Sequence, residues 1–127
     1  MPKQFVHYGL LSTAKIGLNA HLPAARESAC SKIVSISSRS AETAKAVADK
    51  HQIERWYGSY EEQIADPDTA AIINTLPNSM HCEWTVKALE AGKHVAVEYP
   101  LALTAEEGRA LFALARERER VLHVEHI

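Results

Sequence analysis

The 127-residue sequence predicts an α/β protein whose parallel sheet is covered by helices on both faces. Three observations predict it. Short apolar runs alternate with amphipathic stretches along the whole chain. Three of those runs, Ile33-Val34-Ser35-Ile36, Ala70-Ala71-Ile72-Ile73 and His94-Val95-Ala96-Val97, are mostly apolar, as interior parallel strands are. The stretch Gly9-Leu10-Leu11-Ser12-Thr13-Ala14-Lys15-Ile16-Gly17 turns the first run tightly into the first helical segment. Strand–helix alternation implies right-handed crossovers and helices packed on each face.

Taken in order, the periodicity predicts strand 5–11, helix 14–27, strand 32–38, helix 41–51, a short strand at 56–57 and helix 60–66. Strand 70–76, helix 79–91, strand 94–98, helix 104–119 and strand 121–125 follow. Pro23 falls inside the first helix, where it removes a bond to the carbonyl of Asn19, so that helix is expected to kink or end early. Ser40 and Ser79 are N-cap candidates. Ser59 with Glu62, and Thr104 with Glu107, have capping-box spacing, and Gly92 suits a C-cap. With no linker, repeat or low-complexity segment, residues 1–127 read as one doubly wound, Rossmann-type dinucleotide-binding domain.

Composition narrows the function. A formal charge of −2 gives no basic footprint, so no nucleic-acid partner is expected. No apolar run approaches the roughly 20 residues of a membrane span. The opening Met-Pro-Lys-Gln-Phe shows no secretory pattern, which points to the cytoplasm. Cys30 and Cys82 are too few for a disulfide framework and read as small buried hydrophobes.

In a sheet of this kind ligands bind beyond the carboxyl ends of the strands. The first turn offers backbone N–H groups and the positive end of a helix dipole, a ready site for phosphate. The fingerprint G-x-G-x-x-G would place glycines at 12, 14 and 17; only Gly17 is present, with the small residues Ser12 and Ala14 at the other two. After the second strand, Ser38-Arg39 stands where NAD-binding domains usually carry an acidic residue for the ribose hydroxyl. A serine and a guanidinium suit a 2′-phosphate there, unless Arg39 simply faces solvent at a helix start. After strand 70–76, Asn78 or Ser79 caps the next helix or reaches a cofactor ribose, and the dipole of that helix would favour the neutral form of His81. Glu98 and Tyr99, pinned by Pro100, end a central strand at the ligand side, or are a surface Glu and a packed Tyr. His123-Val124-Glu125-His126 matches no zinc signature, and on a strand His123 and His126 point to opposite faces, so no metal site is expected.

Assembled, these stretches resemble the N-terminal domain of the glucose–fructose oxidoreductase/inositol dehydrogenase (Gfo/Idh/MocA) family. The resemblance rests on Gly9 to Gly17, Ser38-Arg39, Tyr57-Gly58-Ser59-Tyr60-Glu61-Glu62, Leu76-Pro77-Asn78-Ser79-Met80-His81 and Ala91-Gly92-Lys93-His94-Val95. It implies that Gly9, Ser12, Thr13, Ala14, Lys15 and Ile16 hold the pyrophosphate. It also implies that Ser38-Arg39 accompanies NADP(H), NAD(H) being the other nicotinamide cofactor of the family, and that Leu76, Pro77, Asn78, His81 and Glu98 line the nicotinamide side.

Two departures accompany the resemblance. Glu98-Tyr99-Pro100 stands where the family usually has Glu-Lys-Pro, removing the lysine that assists proton transfer in sugar dehydrogenases. That variant, with Val121-Leu122-His123-Val124-Glu125-His126-Ile127, looks like biliverdin reductases, whereas Ser12 to Gly17 looks more like the sugar dehydrogenases. Tyr99 and Glu98 are then the candidate catalytic residues. The family's C-terminal substrate domain would begin where this sequence ends, so the expectation is a single domain lacking it. Two functions follow: the cofactor half of an NADP(H)-dependent oxidoreductase acting on a small-molecule substrate, or a catalytically inactive nucleotide-binding or oligomerisation module. Strand 121–125 should lie at a sheet edge, with Val121, His123 and Glu125 on one face and Leu122, Val124 and His126 on the other, and should draw the chain into a homo-oligomer.

Overall fold

A computed structural model describes residues 5–125. The strands are β1 (Val6–Leu11), β2 (Ser31–Ser37), β3 (Arg55–Tyr57), β4 (Ala71–Asn74), β5 (His94–Glu98) and β6 (Leu122–Glu125). The α-helices are α1 (Leu22–Glu27), α2 (Ala41–His51), α3 (Tyr60–Ile64), α4 (His81–Glu90) and α5 (Ala105–Glu117). All neighbouring strands are parallel and the order is β3-β2-β1-β4-β5-β6, so the sheet is doubly wound as expected. The order reverses between β1 and β4, which opens a crevice above their carboxyl ends.

Strand alternation divides the core. Leu10, Ile33, Ile36 and Ile73 pack with Leu22, Ala48 and Ile53 on the α1/α2 side. Leu11, Ile72, Val95 and Val97 pack with Ile64, Trp84, Leu89 and Ala115 on the opposite side. On the first side nothing among the described residues covers the far half of the sheet. Tyr8, Ile73, Ala96 and Val121 there line an open, mostly apolar hollow, and Val121 is 63% exposed. β6 is an edge strand: Leu122 and Val124 turn to the core, and His123 and Glu125 line the hollow. His126 lies outside the described residues.

Local chemistry explains most of the boundaries. Ser40 caps α2 through the Thr43 N–H, and Thr104 with Glu107 forms the full capping box of α5. Ser59 accepts the Glu62 N–H, yet its reciprocal bond goes from its own hydroxyl to Glu62 rather than from its backbone. Gly92 takes φ +84°, and the Gly92 and Lys93 N–H groups close α4 on Leu89 and Ala88.

Four expectations are corrected. The helix continues through Pro23: a π-helical turn, Gly17–His21, precedes α1, and the Leu22 N–H reaches the Gly17 carbonyl. This leaves Pro23 as the second residue of α1, just past the wider π-helical turn. Ser79 caps nothing, because a 3-10 turn, Asn78–Met80, runs straight into α4. β4 ends at Asn74, whose side-chain oxygen captures the Leu76 N–H and turns the chain out of the sheet. Cys30 is exposed beside β2 and Cys82 is only partly buried.

Candidate functional site

Three turns meet above the strand reversal. Those following β1, β2 and β4 supply Ser12, Thr13, Ala14, Ser38, Arg39, Leu76 and Pro77 to one open cleft of about 420 Å³. Thr75 and Tyr60 complete its lining; neither is among the sequence's candidate site residues, since Thr75 reads as strand and Tyr60 as a helix start.

The turn after β1 is shaped by its departures from the glycine fingerprint. Ser12 adopts φ +93°, a conformation that favours glycine. Its side chain offsets the strain. Thr75 donates its hydroxyl to the Leu11 carbonyl at 3.0 Å, leaving the Thr75 oxygen to accept from Ser12 at 3.1 Å. The Ser12 oxygen in turn accepts the Ala14 N–H at 3.2 Å. One N–H of the phosphate turn is therefore already engaged. Gly17 is buried against β1, and a Cβ there would stand 3.2 Å from Leu10 Cδ2. That is the close helix–strand packing expected of the third fingerprint glycine.

Arg39 is exposed at the entrance to α2, and its guanidinium has no hydrogen-bond or ion-pair partner among the described residues. It lines the cleft and an adjoining shelf with Tyr60, Met80 and Trp84. A nicotinamide dinucleotide fits these residues: small side chains at the phosphate turn, an uncommitted cation beside the second turn, and a cleft joining them.

Other candidate residues stand elsewhere. Gly9 is buried within β1, where a Cβ would lie 2.8 Å from Gln63 Nε2 and 2.9 Å from Ser35 Oγ. Packing accounts for it: buried Gln63 donates to the Leu10 carbonyl and to Ser35, and accepts from Ser37. Lys15, Ile16 and Asn78 flank the cleft without lining it.

His81 lies beneath the cleft, 1% exposed. Its Nε2 is 2.6 Å from the Leu76 carbonyl and its Nδ1 is 2.7 Å from the Pro100 carbonyl. Each ring nitrogen therefore faces a backbone carbonyl, one from each turn. His81 thus braces the Leu76 turn against the Tyr99-Pro100 turn and does not face the cleft. Asn74 adds to the brace by donating to the His81 carbonyl and to Thr85.

Glu98 is largely buried and lies 2.6 Å from His21 Nε2. Tyr99 is largely exposed, and its N–H donates to the Glu125 carbonyl. Neither Glu98 nor Tyr99 lines the cleft. No helix among the described residues is long and apolar enough to cross a membrane.

The architecture recurs in known proteins. The sequence model of a family described as an oxidoreductase family with an NAD-binding Rossmann fold matches residues 6–126. A D-xylose 1-dehydrogenase (NADP(+)) of Haloferax volcanii is 40% identical over 105 residues, covering 83% of this chain and 32% of the relative. A 1,5-anhydro-D-fructose reductase of Ensifer adhaerens is 37% identical over 119 residues, covering 94% and 35%. A 3-ketoreductase of Actinomadura kijaniata, crystallised with NADP and TDP-benzene, superposes with a TM-score of 0.90 at 30% identity, covering 95% and 37%. The chain spans about a third of the length of each of these relatives.

Proposed function

Because the chain belongs to the Gfo/Idh/MocA family of NAD-binding oxidoreductases, we propose that it supplies the cofactor half of an NADP(H)-dependent oxidoreductase acting on a sugar-type hydroxyl or ketone. The observation that carries this reading is the convergence of Ser12, Thr13, Ala14, Ser38, Arg39, Leu76 and Pro77 on one cleft at the strand reversal. The phosphate turn binds the pyrophosphate through Thr13 and the backbone of the opening helical turn. Arg39, with Ser38 beside it, holds the 2′-phosphate. Leu76 and Pro77 present one wall to the nicotinamide, with Asn78 beside them, and His81 fixes that wall from below. The bound nicotinamide supplies or accepts the hydride. Tyr99, in the place of the family's usual lysine, offers its hydroxyl to the substrate oxygen. The sugar dehydrogenases and reductases among the relatives support a sugar-type substrate over a biliverdin-type one.

The described residues form only the cofactor side of such a site. Catalysis needs the reacting carbon held about 3–3.5 Å from the nicotinamide, and the open cleft has no opposing wall among the described residues. The uncovered sheet face with Tyr8, Ile73 and Val121 supports self-association as well, and light scattering reporting only monomer would contradict that part. For the main reading, the chain is mixed with NADPH and keto-sugars or biliverdin. Binding without appreciable oxidation is the expected result. Steady-state turnover by these 127 residues alone would overturn the half-site assignment.

A further inference from the structure

We propose that the carboxyl ends of β5 and β6, together with the π-helical turn, form a binding site for a divalent transition-metal ion, with His21, Glu98 and Glu125 as ligands. The register sets Glu98 directly beside Glu125, so two carboxylates face one another on neighbouring strands. Like charges in that arrangement are destabilising unless something positive joins them. Among the described residues no lysine or arginine pairs with either carboxylate. Among the described residues their basic partners are histidines: His21 at 2.6 Å from Glu98, and His123 at 3.9 Å from Glu125.

The donor atoms of His21, Glu98 and Glu125 all lie within 4.8 Å of one another. Their side chains are 11%, 16% and 27% exposed, sheltered from bulk water yet open to an entering ion. His21 is delivered by the π-helical turn, a geometry that recurs at functional sites. One imidazole with two carboxylates suits zinc, cobalt or manganese, and suits neither copper(I) nor calcium. Ligand atoms on a tetrahedral zinc with bonds near 2.05 Å stand about 3.3 Å apart. The His21–Glu98 hydrogen bond therefore opens by about 0.7 Å, within the reach of side-chain rotation. Three protein ligands leave positions free for water or a ligand oxygen, and His123 flanks the site.

None of His21, Glu98 and Glu125 lines the dinucleotide cleft, so the test uses the chain without cofactor, stripped of metal with a chelator and carrying no affinity tag. Titration with Zn²⁺ or Co²⁺ is expected to show one equivalent bound, a rise in melting temperature, and for Co²⁺ the visible bands of a low-coordinate centre. Glu125→Gln and His21→Ala are each expected to weaken binding by at least about tenfold, while His51→Ala leaves it unchanged. In the unaltered protein, paramagnetic Co²⁺ should shift the ring resonances of His21, a reading that needs no variant to fold. An unaltered chain that binds neither ion overturns the proposal. So does binding that leaves the His21 resonances in place, or that survives His21→Ala but is lost with His123→Ala.

Discussion

Ser12 Oγ and Thr75 Oγ1 lie 3.1 Å apart, joining the turn after β1 to the turn after β4 across the point where the strand order reverses. This bond lets a serine stand where the dinucleotide fingerprint has its first glycine. The backbone there keeps the glycine-like φ of +93°, and the hydroxyl ties the strained turn to its neighbour.

Ser12→Gly removes about 1 kcal/mol or more of backbone strain and loses two hydrogen bonds of about 0.5–1.5 kcal/mol each. Its stability should therefore change little in urea unfolding. Ser12→Val places a β-branched residue at positive φ with no hydroxyl, and should destabilise the fold by more than about 2 kcal/mol. A valine variant as stable as the parent would mean that the turn does not hold this conformation.

Gly17 is constrained by packing. Valine there drives its methyls into Leu10 and toward Thr75 Oγ1, and overpacking of this kind costs about 1–3 kcal/mol. Because Thr75 also anchors Ser12, the same variant should weaken cofactor binding. Unfolding and NADPH titration read the two effects separately. Gly17→Val with parental stability and affinity would make the turn an ordinary strand–helix corner.

Acid should weaken the fold in two stages. His94 accepts the Val121 N–H on Nδ1, and burial, reinforced by Arg120, lowers its pKa from the ordinary 6.5. As pH falls below 6.5 the unfolded chain takes up a proton at His94 that the folded chain resists, so stability declines with pH. Asp66 brings the second stage. Burial opposes its charge, but the Tyr57 hydroxyl, the Asp68 N–H and Arg55 outweigh that and hold it below the usual carboxylate range. Its contribution is present above 3.8 and is lost as pH falls through the lowered value. Melting temperatures from pH 8 to pH 3 should show both declines, and His94→Ala should reduce the first. An undiminished first decline in that variant would assign it elsewhere.

The sheet, its helices and most of their ends were legible because their causes are local. Ser40, Thr104 and Gly92 act on backbone within four residues, and apolar periodicity marks each strand. The Ser12, Ser38 and Leu76 turns were legible as a site because winding fixes which strand ends meet. The rest depended on distant contacts. Gly9 reads as part of a phosphate turn until Gln63, far along the chain, fills the space above it. His81 looks like a cleft residue until its ring is seen between the Leu76 and Pro100 carbonyls. The His21–Glu98 pair is separated by 77 positions and follows no spacing a motif could capture. The sequence pattern carries β4 two residues past its end because Thr75 and Leu76 continue its buried run, while the Asn74 side chain redirects the backbone.

The central claim is that the cleft holds a dinucleotide with Arg39 on its 2′-phosphate, and parallel titrations with NADPH and NADH test it most directly. Nicotinamide fluorescence should report NADPH binding at least about tenfold tighter, a charge-assisted contact of about 1.5 kcal/mol. Arg39→Ala should abolish that difference while leaving the NADH affinity nearly unchanged. Equal affinities in the unaltered chain, or a preference that survives Arg39→Ala, would contradict the account.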